Sequence, residues 1–499
     1  MNDILQVPPQ KPLTHKPVFG KYPMNQILRV QYDGYAWTTG IHTYSELRPV
    51  EGLRLAEGDL AQKYLKLIEL YTQAGLQAAK LFGLELLEVQ NNVLHFYKEG
   101  PDLESTAYDA LCFSYVFTKV LYEVLAEDLG GHWRGFAICM DHGESIIVRR
   151  GRSANSSAIS LGPSANRPAK RLLYSKTAAG HVEFPAGWAH QLLGRNAQGD
   201  WFSLNLRDSG NLPLLSRFEN AELESQLRRA MLEVQRVRSL TNLSATPFVL
   251  AQGNSLIEQG RFSTDRPLSM SAICMRVDLD NFSSTVQAAF RQGEEAVEAV
   301  AKGFLKILEF GDYFEKKHYG VVRLPWGGDS VSFIIPPTGD LQAFRGKEWV
   351  GLLEEWQSFA SNTTDGRRNK WDSVFRDVGW AIGMSYAEDG WCLVAPIETD
   401  SRKFLIAAGA PLSLASDAQN LGKAGEIVIH NTDYAAAYPI LRKLFEKVAA
   451  TDFWKSKDLT VEKIRLAAIE AGRSENTSKI EFVKKAATVS VPPPRPYSP

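Results

Sequence analysis

Two long stretches of this chain read as copies of one unit, and that duplication constrains the fold more tightly than any overall property. Val277 to Phe282 (VDLDNF) matches Val30 to Tyr35 (VQYDGY), and a hairpin pattern around Gly327 and Gly328 matches one around Asn91 and Asn92. Ala381 to Tyr386 (AIGMSY) matches Ala137 to His142 (AICMDH), and Gly409 to Asp417 (GAPLSLASD) matches Gly162 to Lys170 (GPSANRPAK). Each second copy lies about 240 positions downstream and the order is unchanged, which is how a diverged internal duplication looks. In each copy a strand, a helix, a hairpin and a further strand follow one another, so two α+β units are expected.

Between and around the copies the composition shifts. Residues 1–25 carry five prolines and little apolar periodicity, and read as an irregular arm. The first unit is assigned to 26–205 and the second to 268–430. Residues 206–267 read as a helical connector, because Ser216 to Leu240 is rich in Glu, Arg, Leu and Gln after Pro213. Residues 431–480 read as helical and the proline-rich 481–499 as a disordered tail.

Bulk properties exclude several classes of function. A net charge of −1 and a pI near 6.8 argue against a dedicated nucleic-acid or anionic-membrane surface. Cys112, Cys139, Cys274 and Cys392 stand singly in apolar surroundings, as buried thiols of a reducing compartment do. With no leader pattern and no apolar run of spanning length, no membrane insertion and a cytoplasmic location are expected.

The chemistry concentrates between 275 and 335. Ile273, Met275 and Val277 alternate with polar or small neighbours and end at Asp278, after which Phe282 and Ser283 to Thr285 open a helix. Val322 to Phe333 (VRLPWGGDSVSF) is a hairpin with Asp329 at its tip. Two carboxylates on adjacent strands make a hard oxygen site for Mg²⁺ or Mn²⁺, and the helix start at Asn281, Phe282, Ser283 and Ser284 offers backbone N–H groups to phosphate.

In this order the motifs resemble the class III nucleotide cyclases. The resemblance implies two ferredoxin-like (βαββαβ) domains paired head to tail as an intramolecular pseudo-heterodimer, so the chain could work as a monomer. It implies two divalent ions, Mn²⁺ or Mg²⁺, held by Asp278 and Asp329 with the Leu279 carbonyl as a third contact. Gly162 to Lys170 resembles the family's Gly-x-x-x-Asn-x-x-x-Arg stretch, making Asn166 the transition-state Asn; the Arg place falls on Lys170, with Arg171 beside it, and either could be the cation. The matching places in the other copies hold Gln31 and Asn92 for the aspartates, and Ser413 and Asp417 for the Asn and Arg. One composite site would thus keep its chemistry and its pseudo-symmetric partner lose it. His95 and His142 are read as hydrogen-bonded strand-end residues, not as a general base.

Substrate choice follows from the same comparison. Glu88 and Ile159 fall where purine cyclases place base-reading residues, and Ile159 cannot hydrogen-bond a purine edge. With the Gly-Gly-Asp-Ser hairpin this resembles the Pycsar pyrimidine cyclases of bacterial antiphage defence, implying a nucleoside triphosphate substrate, UTP ahead of CTP, and a separate cyclic-nucleotide-binding effector protein. A purine cyclase is the alternative within the class. A palm-type cyclic oligonucleotide synthase is a further one, although Ser330 stands where its signature carries an acid. A nucleotide-binding sensor without turnover is the non-enzymatic one.

Overall fold

The computed structural model describes residues 26–30, 40–49, 58–99, 103–125, 133–150, 157–174, 177–207, 248–249, 263–317, 321–335, 379–398, 403–431 and 443–456, with scattered positions in 225–234 and 463–469. The expected arm, most of the connector including Ser216 to Leu240, the tail, and Gln31 lie outside them.

The first half is α+β. Strand β1 (Gln26–Val30) is followed by β2 (Gly40–Pro49), helix α1 (Gly58–Phe82), the hairpin β3 (Glu85–Gln90) and β4 (Val93–Glu99), and α2 (Leu103–Val120). Then come β5 (Trp133–Gly143), β6 (Ser145–Arg150), β7 (Ser157–Leu161), α3 (Pro163–Tyr174), β8 (His181–Pro185), α4 (Ala186–Leu193) and β9 (Trp201–Asn205). The second half gives β10 (Phe248–Val249), β11 (Leu268–Asp280), α5 (Phe282–Gln292), α6 (Glu294–Lys317), β12 (Val322–Arg323), β13 (Ser330–Ile335) and β14 (Gly379–Glu398). It closes with β15 (Lys403–Ala408), α7 (Ala410–Leu421), β16 (Ile427–His430), β17 (Phe445–Lys447) and β18 (Phe453–Ser456).

The two large sheets share one strand order. The first runs β3-β4-β2-β5-β8-β9, and the second β12-β13-β11-β14-β16-β18-β17. In each, the fourth strand is antiparallel to the third and parallel to the fifth. The strand that answers β11 is therefore β2, not the segment after Ile27: β1 pairs with β6 in a separate sheet, β1-β6-β7. Register settles the matching residue. Asp278 lies opposite Ser330 and Ala381, and Glu46 lies opposite Val93 and Ala137. Glu46, rather than Gln31, holds the first half's counterpart of Asp278.

Two further expectations change. Residues 431–480 were read as helical, yet 445–447 and 453–456 are strands, and β18 pairs with β16 as β9 pairs with β8. Short apolar runs such as Phe453-Trp454 carry too few residues for period alone to tell strand from helix, and pairing to an open sheet edge decides. Ile159, expected at a base-reading position, lies in β7.

The core shows how the halves hold each other. Ile146, Val148, Ile159 and Leu161 of the first half's β6–β7 hairpin pack in one cluster with Phe282, Val286 and Phe304 of the second. Reciprocally, Leu393, Ala395, Ile397, Phe404 and Ile406 of β14–β15 pack with Leu65, Ile68 and Tyr71 of α1. Each hairpin alternates faces, so one side of it packs on the other half; the opposite side of β14–β15, with Val394, Leu405 and Ala407, packs within its own half. At about 25 cal/mol per Å² of apolar surface, the nine buried aliphatic and aromatic side chains exchanged this way are worth on the order of 15 kcal/mol, which ties the relative placement of the halves to folding itself. Gln62 Nε2 donating to the Asp265 carbonyl at 2.7 Å adds a polar tie.

Candidate active site

The site grows from strand pleating. Along β11, Met275, Val277 and Leu279 enter the core, while Arg276 and Asp278 turn to the opposite face and line a cavity. The neighbouring hairpin places Asp329 beside them, with the Leu279 N–H donating to the Asp329 carbonyl at 3.1 Å. Gly328 at the tip has φ +60°, a backbone that favours glycine, and the turn is closed by mutual Gly327–Ser330 backbone bonds of 2.8 and 3.1 Å. Beneath it, Trp326 is buried edge-on to Phe304.

The first half contributes the facing wall. Gly162 opens α3 with φ +146°, where an added Cβ would lie 2.5 Å from the Glu144 carbonyl oxygen, so the turn admits no side chain. From there Asn166 and Lys170, one helical turn apart, both reach the cavity, which encloses about 730 Å³. That volume lies within the range of small-molecule sites. Asp278, Asp329, Asn166 and Lys170 thus line one cavity, with Phe282 and Ser283 at the start of α5. Leu279 follows Asp278, but its side chain is buried in the core, so only its backbone can serve the site.

Other expected residues lie elsewhere. Arg171 donates from Nε to Glu183 Oε2 at 2.6 Å and stacks over Trp201 at 5.7 Å, on the back of α3. One residue step turns a helix by about 100°, so it cannot share Lys170's face; of the two, Lys170 is the one that lines the cavity. Ile159 is fully buried in the exchanged core, and Ser160 lines the cavity in its place. Glu88 is 4% exposed and faces His95 Nδ1 at 3.7 Å, because a register shift between Leu86 and Glu88 turns it across its own hairpin. Gln90 reaches the cavity instead, lying so close to Gly327 that a Cβ there would overlap it. Asn281 caps α5 with φ +62°, and Ser284 Oγ donates to its carbonyl at 2.9 Å; both are exposed and outside the cavity lining. His142 packs edge-on against Trp188.

Sequence reasoning missed Arg276. Its Nη2 donates to Ser330 Oγ at 2.7 Å, which gives Ser330 a role in the hairpin that the motif alone did not suggest. An arginine two places before a strand-end aspartate shares its face, and that spacing was the available signal.

Electrostatically the carboxylates are under tension. Burial pushes both Asp278 and Asp329 above the ordinary carboxylate range, each also raised by a neighbouring acid, while Arg276 pulls both back and Lys170 assists at Asp329. A divalent cation would relieve that tension, and the donors are hard oxygens, so the pair fits Mg²⁺ or Mn²⁺. Among the described residues no group of three or more His, Cys, Asp or Glu forms a self-sufficient metal cage. Further ligands would have to come from backbone and substrate, as is usual for Mg²⁺ at phosphates.

The opposite end of the cavity is lined by Asn91, Asn92, Ser413, Ser416 and Asn420, without a charged side chain among them. α3 and α7 are equivalent helices of 12 residues each, both opened by a positive-φ glycine. Among the described residues no helix is long and apolar enough to cross a membrane.

No family model matches the sequence, and no curated protein matches it either. Among solved structures, a class III adenylyl cyclase-like ATP-binding protein from Pseudomonas aeruginosa is 16% identical with a TM-score of 0.68, covering 88% of this chain and 91% of that one. A bacterial light-regulated adenylyl cyclase (10% identical, TM-score 0.32, covering 87% and 99%) and the adenylyl cyclase CyaB from P. aeruginosa (14%, 0.29, 39% and 97%) superpose too loosely to carry argument. The first match establishes a class III cyclase-like fold over most of the chain.

Proposed function

We propose that the two halves form a head-to-tail pseudo-heterodimer with one working composite site, which converts a nucleoside triphosphate to its 3′,5′-cyclic monophosphate and pyrophosphate. The observation that carries this is the meeting of Asp278 and Asp329 from one half with Asn166 and Lys170 from the other in a single cavity. Two divalent ions at Asp278, Asp329 and the Leu279 carbonyl would, when bound, acidify the ribose 3′-hydroxyl and neutralise triphosphate charge. Asn166 would hold the ribose and hydrogen-bond the charge that develops at the α-phosphate. Lys170, a point charge on a flexible stem, would follow that charge as pyrophosphate leaves. The backbone at Phe282 and Ser283 would receive the phosphate tail at the start of α5. No imidazole is needed, which suits the packing of His95 against Glu88 and of His142 against Trp188, outside the cavity lining.

A pyrimidine base, with UTP ahead of CTP, remains the preferred substrate, now on different residues. Since Glu88 and Ile159 point elsewhere, the uncharged Gln90 and Ser160 are first-half groups placed to meet a base edge, and an amide with a hydroxyl can match the mixed donors and acceptors of uracil. The Gly-Gly-Asp-Ser hairpin supports extending this to a second messenger of antiphage defence read by a separate effector.

One second reading has a specific observation behind it. The similar solved structure is described as an ATP-binding protein, so binding without turnover is the competitor. Incubation of the full chain with each ribonucleoside triphosphate and Mn²⁺, followed by mass analysis, decides. Cyclic UMP is expected. Unchanged triphosphate in every incubation would leave a binding protein, and a linked dinucleotide would point to an oligonucleotide synthase.

A further inference from the structure

The cavity holds a cation that the proposed reaction does not call on. Arg276 Nη2 donates to Ser330 Oγ at 2.7 Å, and Ser330 Oγ donates to the Gly327 carbonyl at 3.2 Å, so the strand and the hairpin tip together fix the guanidinium beside the aspartates. Its Nε–H is buried without an acceptor, leaving donor capacity unused. In the first half the same register position, opposite Cys139 as Arg276 is opposite Gly383, belongs to Tyr44, so only the carboxylate half carries this charge.

We propose that Arg276 is a built-in counter-cation of Asp278 and Asp329, which disfavours a divalent ion in the nucleotide-free site so that metal enters with the triphosphate. This rests on the metal-site reading above. A guanidinium keeps its proton at any working pH, so it offsets one of the two carboxylate charges permanently and repels an approaching dication. A triphosphate reverses the balance, because it brings several negative charges and its oxygens can accept from the unused Nε–H. Free metal, lacking those charges, meets a carboxylate pair whose attraction the guanidinium has already partly cancelled. The consequence is ordered loading: the nucleotide-free enzyme rests with its carboxylates partly matched by protein, and the ion arrives as a metal–nucleotide complex.

The test is Mn²⁺ binding by the nucleotide-free full chain, followed by electron paramagnetic resonance of the free ion, for wild type, Arg276→Gln and Arg276→Lys. Gln keeps an amide donor for Ser330 and removes the charge, whereas Lys keeps the charge. Arg276→Gln should bind Mn²⁺ about tenfold or more tighter than wild type, Arg276→Lys should stay within a few-fold of wild type, and Asp278→Ala added to Arg276→Gln should cancel the gain. In the presence of an α,β-methylene uridine triphosphate, wild type should bind Mn²⁺ readily. Equal nucleotide-free affinity in wild type and Arg276→Gln, with binding restored by the analogue, would overturn the counter-cation and leave the metal site standing. Absence of Mn²⁺ binding in every variant even with the analogue would remove the metal site and this inference together. Circular dichroism of each variant shows which are folded; should Gln fail to fold, tight nucleotide-free binding by wild type alone overturns the inference, and weak binding by both wild type and Lys supports it.

Discussion

The two ends of the shared cavity are built on the same plan and furnished differently. At one end β11 and its hairpin supply Asp278 and Asp329, opposed by Asn166 and Lys170 on α3. At the other, the register counterparts are Glu46 and Asn92, opposed by α7 with Ser413 and Asp417. Strand order, hairpin, positive-φ glycine and 12-residue helix are kept at both ends, so backbone geometry alone does not distinguish them. The difference lies in charge. One end concentrates acids and bases in a buried place where electrostatic interactions are strong, and the other presents amides and hydroxyls that bind polar groups but discharge nothing. The hairpin and the helix differ in kind, with Asn92 in the place of Asp329 and Ser413 and Asp417 in the places of Asn166 and Lys170.

The sharpest way to break the comparison is to remove one carboxylate from each end. Asp278→Ala or Asp329→Ala should lower cyclic nucleotide formation by about a thousandfold or more, since an ion and its charge neutralisation are lost together. Glu46→Gln and Asn92→Ala should stay within about tenfold of wild type by the same product assay. Equal losses at both ends would mean two working sites, or none where proposed. Next in size is the helix: Lys170→Ala should cost about a hundredfold in kcat with little change in KM, while Arg171→Ala, acting only through the seating of α3, should cost far less. A larger effect from Arg171 would return the transition-state role to it.

Much of this was legible before any coordinates. The hairpins and the strand ending at Asp278 follow from period and turn chemistry, the pairing of Asp278 with Asp329 from motif order, and Asn166 and Lys170 from the family resemblance. What was hidden depended on pairing. Val30 to Tyr35 resembles Val277 to Phe282 in letters, yet β1 joins another sheet, because a strand's place is set by which edge it finds and not by its own pattern. Glu88 was misplaced by one β-bulge, since a single extra residue turns every following side chain to the other face. Ile159 looked like a pocket residue because its place answers a base-reading position of the purine cyclases. Its partners, Phe304 among them, belong to helices far along the chain and could not be inferred locally.

Smaller effects sharpen the hairpin contrast. Gly327→Ala puts a methyl where the Gln90 amide now lies, 1.2 Å from Nε2, so Gln90 must swing aside. Because that group is the far end of a flexible chain, the expected cost is modest, about a few-fold in kcat/KM, and Gln90→Ala in the same chain should recover the part due to the clash. A double variant no better than the product of its parts would show that the turn, not Gln90, is what the methyl disturbs.

The smallest effect concerns how α3 is seated. Arg167 pairs with Asp141 at 2.9 Å and Arg171 with Glu183, both arginines lying over Trp201. Burial pushes the Asp141 carboxyl up to about 6, only partly offset by Arg167 and by the His142 N–H. A carboxyl whose folded value exceeds its unfolded one binds protons more tightly when folded. Its contribution to stability is therefore complete below about pH 4 and is lost as pH rises through about 6. Asp141→Asn cannot titrate, so thermal melts should show wild type losing ground relative to the variant between pH 4 and 6, with the two curves parallel above about pH 7. Parallel curves throughout would mean that Arg167 holds Asp141 ionised over the whole range. In that case the ion pair, and not burial, dominates behind α3, and Arg167→Ala should then destabilise the chain more at pH 7 than at pH 4.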